Sequence, residues 1–183
     1  MSTVEEITAL FAAHGGGAYF GEAVTQVEHA LQAAHFASLD GLREELVLAA
    51  LLHDVGHLVV DTPADLADWH TDARHEAIGG AWLAQRFGPE VSEPVRLHVP
   101  AKRYLCATDP GYCAQLSEAS VVTLKLQGGP MSPAEVIAFQ HEPYYRQAVQ
   151  VRLCDDRGKV RDLETAGLDD YSALVRRLVR KTP

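Results

Sequence analysis

A chain of 183 residues with 47% hydrophobic content suits one compact domain, since that length buries roughly two-thirds or more of its unfolded surface. A formal charge of −9 and a pI near 5.4 exclude nucleic acid and anionic membrane as partners, because both need a basic surface. An anionic substrate would therefore have to be captured by a few local cations.

There is no apolar run of roughly 18 residues and no basic segment leading into a short apolar one near the start, so a cytoplasmic protein is expected. Cys106, Cys113 and Cys154 form neither a CxxC pair nor an even-numbered disulfide framework, and read as reduced packing residues.

Helix follows helix along the chain. From Glu22 to Phe36, the residues Val24, Val27, Leu31 and Ala34 recur at three- and four-residue steps, an amphipathic helical period. Asp40 offers an N-cap for a second helix through Leu42, Leu46, Leu48, Leu51 and Leu52 to His53 and Asp54, with Gly56 loosening its end. Asp61 to Asp72, holding Pro63, reads as a loop before a helix from Ala73 to Phe87 that stops at Gly88-Pro89. A short helix over Val91 to His98 is expected to close at Pro100.

Ser117 caps a segment Glu118 to Gln127 that Gly128-Gly129-Pro130 ends, and Ser132-Pro133-Ala134-Glu135 opens another helix with a cap, a proline in the first turn and a glutamate reaching back. A helix from about Pro143 carries Val149, Val151 and Leu153 to Asp155, with Gly158 beyond it, and a last one spans Leu168 to Lys181. No strand alternation, internal repeat or low-complexity segment interrupts this all-α pattern.

His53-Asp54 follows the apolar run Leu48 to Leu52 and should arrive in the interior, where buried charge needs compensation. Imidazole and carboxylate together suit borderline divalent metals such as iron, zinc or manganese. His29, His75, His98 and Asp155 are further candidates. Singly, His29 is as well read as a core histidine, and Asp155 as a carboxylate at a helix end.

The order His29, His53-Asp54, Asp155 resembles the HD superfamily of metal-dependent phosphohydrolases, and two more histidines fall between the pair and the last aspartate. A narrower resemblance lies in Tyr19 to His29, Ala49 to His57, His98 to Leu105 and Gln127 to Met131. These blocks are similar to those of the HD-domain mixed-valent di-iron oxygenases that cleave the carbon–phosphorus bond of hydroxyphosphonates.

That resemblance implies a single HD-domain helical bundle over 1–183, with a metal-site core at about 19–162. It implies two iron ions, Fe(II) and Fe(III), one held by His29, His53, Asp54 and Asp155, the other by His75, His98 and a bridging Asp54. Tyr19 would fill an open position on the His75/His98 iron, and Glu22 would pair with it in a lid that opens for substrate.

His57 and Lys102, each one helical turn beyond a ligand, would meet the phosphonate, supported by Ser120, Thr123, Gln127 and Arg152. Three of these, Ser120, Thr123 and Gln127, share one helix face by spacing. Alternatives stay open: a loop aromatic for Tyr19, a helix-start carboxylate for Glu22, and surface ion pairs for Lys102 and Arg152.

The implied reaction is O2-dependent cleavage of a 1-hydroxy-2-aminoethylphosphonate to glycine and phosphate, with an upstream phosphonate hydroxylase as functional partner. The alternatives are the trimethylammonium analogue, giving glycine betaine, and a metal-dependent phosphohydrolase.

Overall fold

A computed structural model describes residues 1–19, 21–60 and 74–180. The expected loop Asp61 to Asp72 lies outside them, as do Phe20, Ala73 and Lys181. The described residues form helices α1 (Thr3–His14), α2 (Gln26–Leu39), α3 (Glu44–Leu51), α4 (Val55–Val59), α5 (His75–Ala84), α6 (Pro89–Thr108), α7 (Pro110–Cys113), α8 (Glu118–Leu126), α9 (Pro133–Gln140), α10 (Tyr145–Arg157) and α11 (Ser172–Leu178). A 3-10 turn, Leu168–Tyr171, leads into α11. No β-strand occurs among the described residues, so the all-α expectation holds; Ala18 with Thr25 and Phe87 with Val179 make single bridges only.

Most helices fall where periodicity and caps place them, with shifted ends. Thr25, rather than Glu22, starts α2: its hydroxyl accepts from the Glu28 N–H, and the Glu28 carboxylate accepts from the Thr25 N–H. Glu22 therefore sits ahead of the helix, in a turn that Gly21 makes at φ +74°. Asp40 ends α2 instead of capping α3. Its N–H bonds the Phe36 carbonyl, and its carboxylate accepts from Arg157 at 2.7 Å.

The expected helix through His53 and Asp54 is broken there, since α3 ends at Leu51 and α4 begins at Val55. The two residues occupy the turn between. Pro100 does not close its helix either, because α6 runs unbroken for 20 residues through Pro94 and Pro100. A proline inside an isolated helix costs about 3 kcal/mol. Burial of Val91, Val95, Leu97 and Val99 against α5 and α10, at about 1.5–3 kcal/mol per fully buried side chain, outweighs that.

Helix α1 has no counterpart in the sequence expectations. It carries a complete capping box, Ser2 with Glu5, and buries Ile7 and Phe11, so its start signal was present in the chain. The main core joins α2, α3, α5, α6 and α10 around Leu48, Leu51, Leu52, Leu83, Phe87 and Val95. A smaller cluster of Leu97, Ala101, Phe139 and Ala148 holds α9 against α6 and α10.

Candidate metal centre and anion pocket

Five elements bring the six candidate ligands to one point. Leu48, Leu51 and Leu52 are fully buried, which fixes how deeply the α3–α4 turn inserts His53 and Asp54. His29 comes from α2, His75 from the first position of α5, His98 from the middle of α6 and Asp155 from the last turn of α10. Gly56 permits the approach of α4 to α5, since a Cβ there would lie 2.0 Å from the His75 carbonyl oxygen.

In the first group His29 Nε2 lies 3.0 Å from His53 Nε2, 3.4 Å from Asp155 Oδ1 and 3.8 Å from Asp54 Oδ2. In the second, His75 Nε2 lies 3.2 Å from both His98 Nε2 and Asp54 Oδ1, and His98 Nε2 lies 3.6 Å from the same oxygen. Asp54 thus turns one carboxylate oxygen toward each group.

The donor chemistry fits metal ions. The Nδ1 atoms of His29, His53 and His98 meet the carbonyls of Gly158, Ala50 and Val95 at 2.7, 2.8 and 2.7 Å. A carbonyl only accepts, so each Nδ1 carries the hydrogen, and the Nε2 lone pairs face inward. Two such lone pairs 3.0 Å apart repel unless a cation sits between them.

A proton serves in the metal-free protein. Burial opposes charge on His53, but Asp54 and Asp155 outweigh it and raise the imidazole to about 9. A divalent ion serves better, because it would also meet Asp54 Oδ2 and Asp155 Oδ1, buried oxygens with no hydrogen-bond partner.

Arg152 holds Asp155 in place. It is buried, and its Nη1 donates to Asp155 Oδ2 at 2.8 Å while Nη2 donates to Asp156 and Nε to the Tyr112 hydroxyl at 3.0 Å. Its charge is therefore already matched by two carboxylates. Burial would raise Asp155, yet Arg152 and His53 hold it well below the usual carboxylate range.

Lys102 differs, being 2% exposed, with Nζ donating to Thr123 Oγ1 at 2.9 Å on α8. Burial, with Arg152 nearby, brings its ammonium down to about 7. The other residues named from sequence gather nearby. The Tyr19 ring stacks on His29, with centroids 3.8 Å apart, and burial with Asp54 and Asp155 alongside holds its hydroxyl far above the phenol range. His57 stacks on His75 with centroids 4.0 Å apart, and burial with His75 adjacent brings it down to about 3, so it is neutral.

Ser120 Oγ faces Arg152, while Glu22 Oε1 and Gln127 Oε1 are buried acceptors with no hydrogen-bond partner. One residue of this pocket was not read from the sequence. Lys159 places Nζ 3.1 Å from Ser120 Oγ and 3.8 Å from Glu22 Oε1. It lies past the end of α10, where helical spacing gives no signal.

Comparison with known proteins agrees with this geometry. The HD domain family matches residues 27–140, which include His29, His53, Asp54, His75 and His98; Asp155 lies beyond the match, and the fold brings it back. The chain is 44% identical over 178 residues to [1-hydroxy-2-(trimethylamino)ethyl]phosphonate dioxygenase (glycine-betaine-forming) of Leisingera caerulea, covering 97% of this chain and 91% of that one. It is 42% identical over 174 residues to hydroxymethylphosphonate dioxygenase of Gimesia maris, covering 91% and 85%. An uncharacterised protein of Acanthamoeba polyphaga mimivirus is 34% identical over 177 residues, 96% of this chain and 81% of its own length. No helix among the described residues is long and apolar enough to cross a membrane. The chain therefore belongs to the HD-domain family, and within it is a metal-dependent dioxygenase.

Proposed function

We propose that the protein cleaves the carbon–phosphorus bond of a 1-hydroxyphosphonate with O2, using two iron ions, and that its substrate is 2-amino-1-hydroxyethylphosphonate, giving glycine and phosphate. The observation that carries this reading is Asp54, whose two carboxylate oxygens face two separate histidine groups at 3.2–3.8 Å beside a buried lysine. The reaction balances without an external reductant: the C1–H and C–P bonds break, one oxygen atom enters the new carboxylate and the other enters phosphate.

His29, His53, Asp54 and Asp155 would hold one ion, and Asp54, His75 and His98 the other. The irons would supply Lewis acidity and the electrons that O2 chemistry requires. The chain supplies the placement. Lys102 binds the phosphonate, and neutral His57 adds a hydrogen bond there without adding charge. Tyr19 and the Gly21–Glu22 turn cover the site against water. The buried Glu22 oxygen, which accepts no hydrogen bond, suits an N–H donor on the substrate, which a primary ammonium has and a trimethylammonium lacks.

The named activity of the Leisingera caerulea relative favours the trimethylammonium compound as the second reading. A phosphohydrolase on the same ligands is the weaker reading beside two relatives named dioxygenases. In this account an upstream hydroxylase installs the C1 hydroxyl. The test is to load the protein with Fe(II) under argon, admit limited O2 and record the EPR spectrum. A mixed-valent di-iron signal that changes when the hydroxyphosphonate is added is expected; a mononuclear signal indifferent to it would overturn the assignment.

A further inference from the structure

A phosphonate dianion is held best by more than one cationic side chain, and the residues expected from the sequence leave little charge free for it. Arg152 is matched by Asp155 and Asp156, which leaves Lys102 as the uncommitted cationic side chain among the residues expected from the sequence. Lys159 is the second cation, and the fold goes to some length to aim it.

Its two neighbours are both tied to α2. The Gly158 carbonyl accepts from His29 Nδ1 at 2.7 Å, and Gln32, 2% exposed, bonds both the Val160 carbonyl at 2.7 Å and the Val160 N–H at 2.9 Å. Gly158 also lies so close to α2 that a Cβ would meet His29 Nδ1 and the His29 carbonyl at 3.1 Å. Clamped on both sides, Lys159 directs Nζ back into the pocket, where it meets Ser120 Oγ at 3.1 Å, Ser117 Oγ at 3.5 Å and, at 5.9 Å, the face of Tyr19.

Lys102 and Lys159 are thus anchored alike. Each ammonium sits on a hydroxyl of α8, Thr123 for Lys102 and Ser120 for Lys159, and those hydroxyls are three residues apart on one helix face. Two like charges held this near one another repel and are worth assembling where an anion comes between them. Among the described residues Glu22 Oε1 pairs with Lys159 at 3.8 Å, too far for a hydrogen bond, and belongs to the covering turn, while the Lys159 charge also acts on Asp155.

From this geometry we propose that Lys159 is a second phosphonate-binding residue, forming with Lys102 a two-ammonium cradle on α8 that selects dianionic over monoanionic headgroups, and that Glu22 is its counter-ion while the cradle is empty. This rests on the phosphonate reading above.

The test uses the iron-loaded protein under argon with methylphosphonate, which has neither the hydroxyl nor the amine needed for turnover. Calorimetric titration of wild type, Lys159→Gln and Lys159→Arg is compared with titration by methanesulfonate, a monoanion of similar size. Lys159→Gln is expected to weaken methylphosphonate binding by about ten- to a hundredfold, Lys159→Arg by about threefold or less, and the preference over methanesulfonate should shrink in the glutamine variant. Wild-type affinity in Lys159→Gln, with iron content retained, overturns the proposal.

Acylation footprinting of the wild type covers the case in which that variant loses its iron. Saturating methylphosphonate should shield the Lys159 amine, and undiminished labelling would equally overturn the proposal. A wild type that binds methylphosphonate but releases no phosphate from any hydroxyphosphonate would sink the activity and leave the cradle standing; a wild type that does not bind it would sink both.

Discussion

Gly56→Ala adds one methyl group at the contact between α4 and α5 and probes the proposed second metal position, which His75 and His98 would form with Asp54. The new Cβ would lie 2.0 Å from the His75 carbonyl oxygen, 2.8 Å from its carbonyl carbon and 2.9 Å from the Gly79 nitrogen, all backbone atoms that no side-chain rotation can move aside. Since real Cβ atoms do not approach closer than 3.0 Å, the helices must part by at least about 1 Å. Ligand distances tolerate only about 0.2 Å, so His75 would leave the position it shares with Asp54 and His98. His29, His53 and Asp155 approach from α2, the α3–α4 turn and α10, and do not depend on this contact. The variant should therefore keep one iron per chain instead of two and lose turnover. Overpacking of about 1–3 kcal/mol should lower Tm by roughly 2–10 °C in a chain of this size. Elemental analysis, with circular dichroism to confirm folding, reads the outcome. Two irons per chain and full activity would refute the reasoning.

Other substitutions test neighbouring parts. Asp54→Asn keeps the shape but removes the charge that both histidine groups share, so iron should fall at both positions; metal analysis showing two ions per chain would remove the bridging role. Lys102→Ala should raise the Kd for methylphosphonate by about ten- to a hundredfold, and an unchanged titration would return the residue to a packing role. Because Lys102 is brought down to about 7, its ammonium is present below that pH and lost above it; relative to Lys102→Arg, whose cation does not titrate, wild-type affinity for methylphosphonate should decline as the pH rises through 7. A constant ratio of the two affinities from pH 6 to 9 would contradict the buried-lysine assignment. Glu22→Gln should erode the preference for the primary-amine substrate over its trimethylated analogue, measured as a ratio of kcat/KM; an unaltered ratio would mean that Glu22 does not select the amine.

The residues that the fold gathers into the candidate metal centre stood out in the sequence because their chemistry is unusual in place: a charged His53-Asp54 after a fully apolar run demands a partner, and the order of the remaining histidines and Asp155 points to a shared one. Most helices were legible through period and caps, although α1 was missed despite its Ser2–Glu5 capping box. The ends were not. Asp40 has the chemistry of an N-cap but was taken up by the end of α2 and by Arg157, a partner 117 residues away that local reading cannot see. Pro100 breaks isolated helices, yet α6 continues because its buried face is set by α5 and α10. Lys159 escaped because its position depends on two long-range ties to α2, His29 to Gly158 and Gln32 to Val160, neither of which leaves a local pattern. Arg152, expected among the phosphonate contacts, also pairs with Asp155 and Asp156 at three- and four-residue steps, a helical spacing already present in the sequence.

The central claim, oxidative cleavage of a carbon–phosphorus bond at a paired metal site, is tested most directly by phosphate release from 2-amino-1-hydroxyethylphosphonate under labelled O2 and under strict argon. The account predicts release only with O2, with one labelled oxygen atom in the glycine carboxylate. Equal release under argon, with no label in the carboxylate, would contradict it.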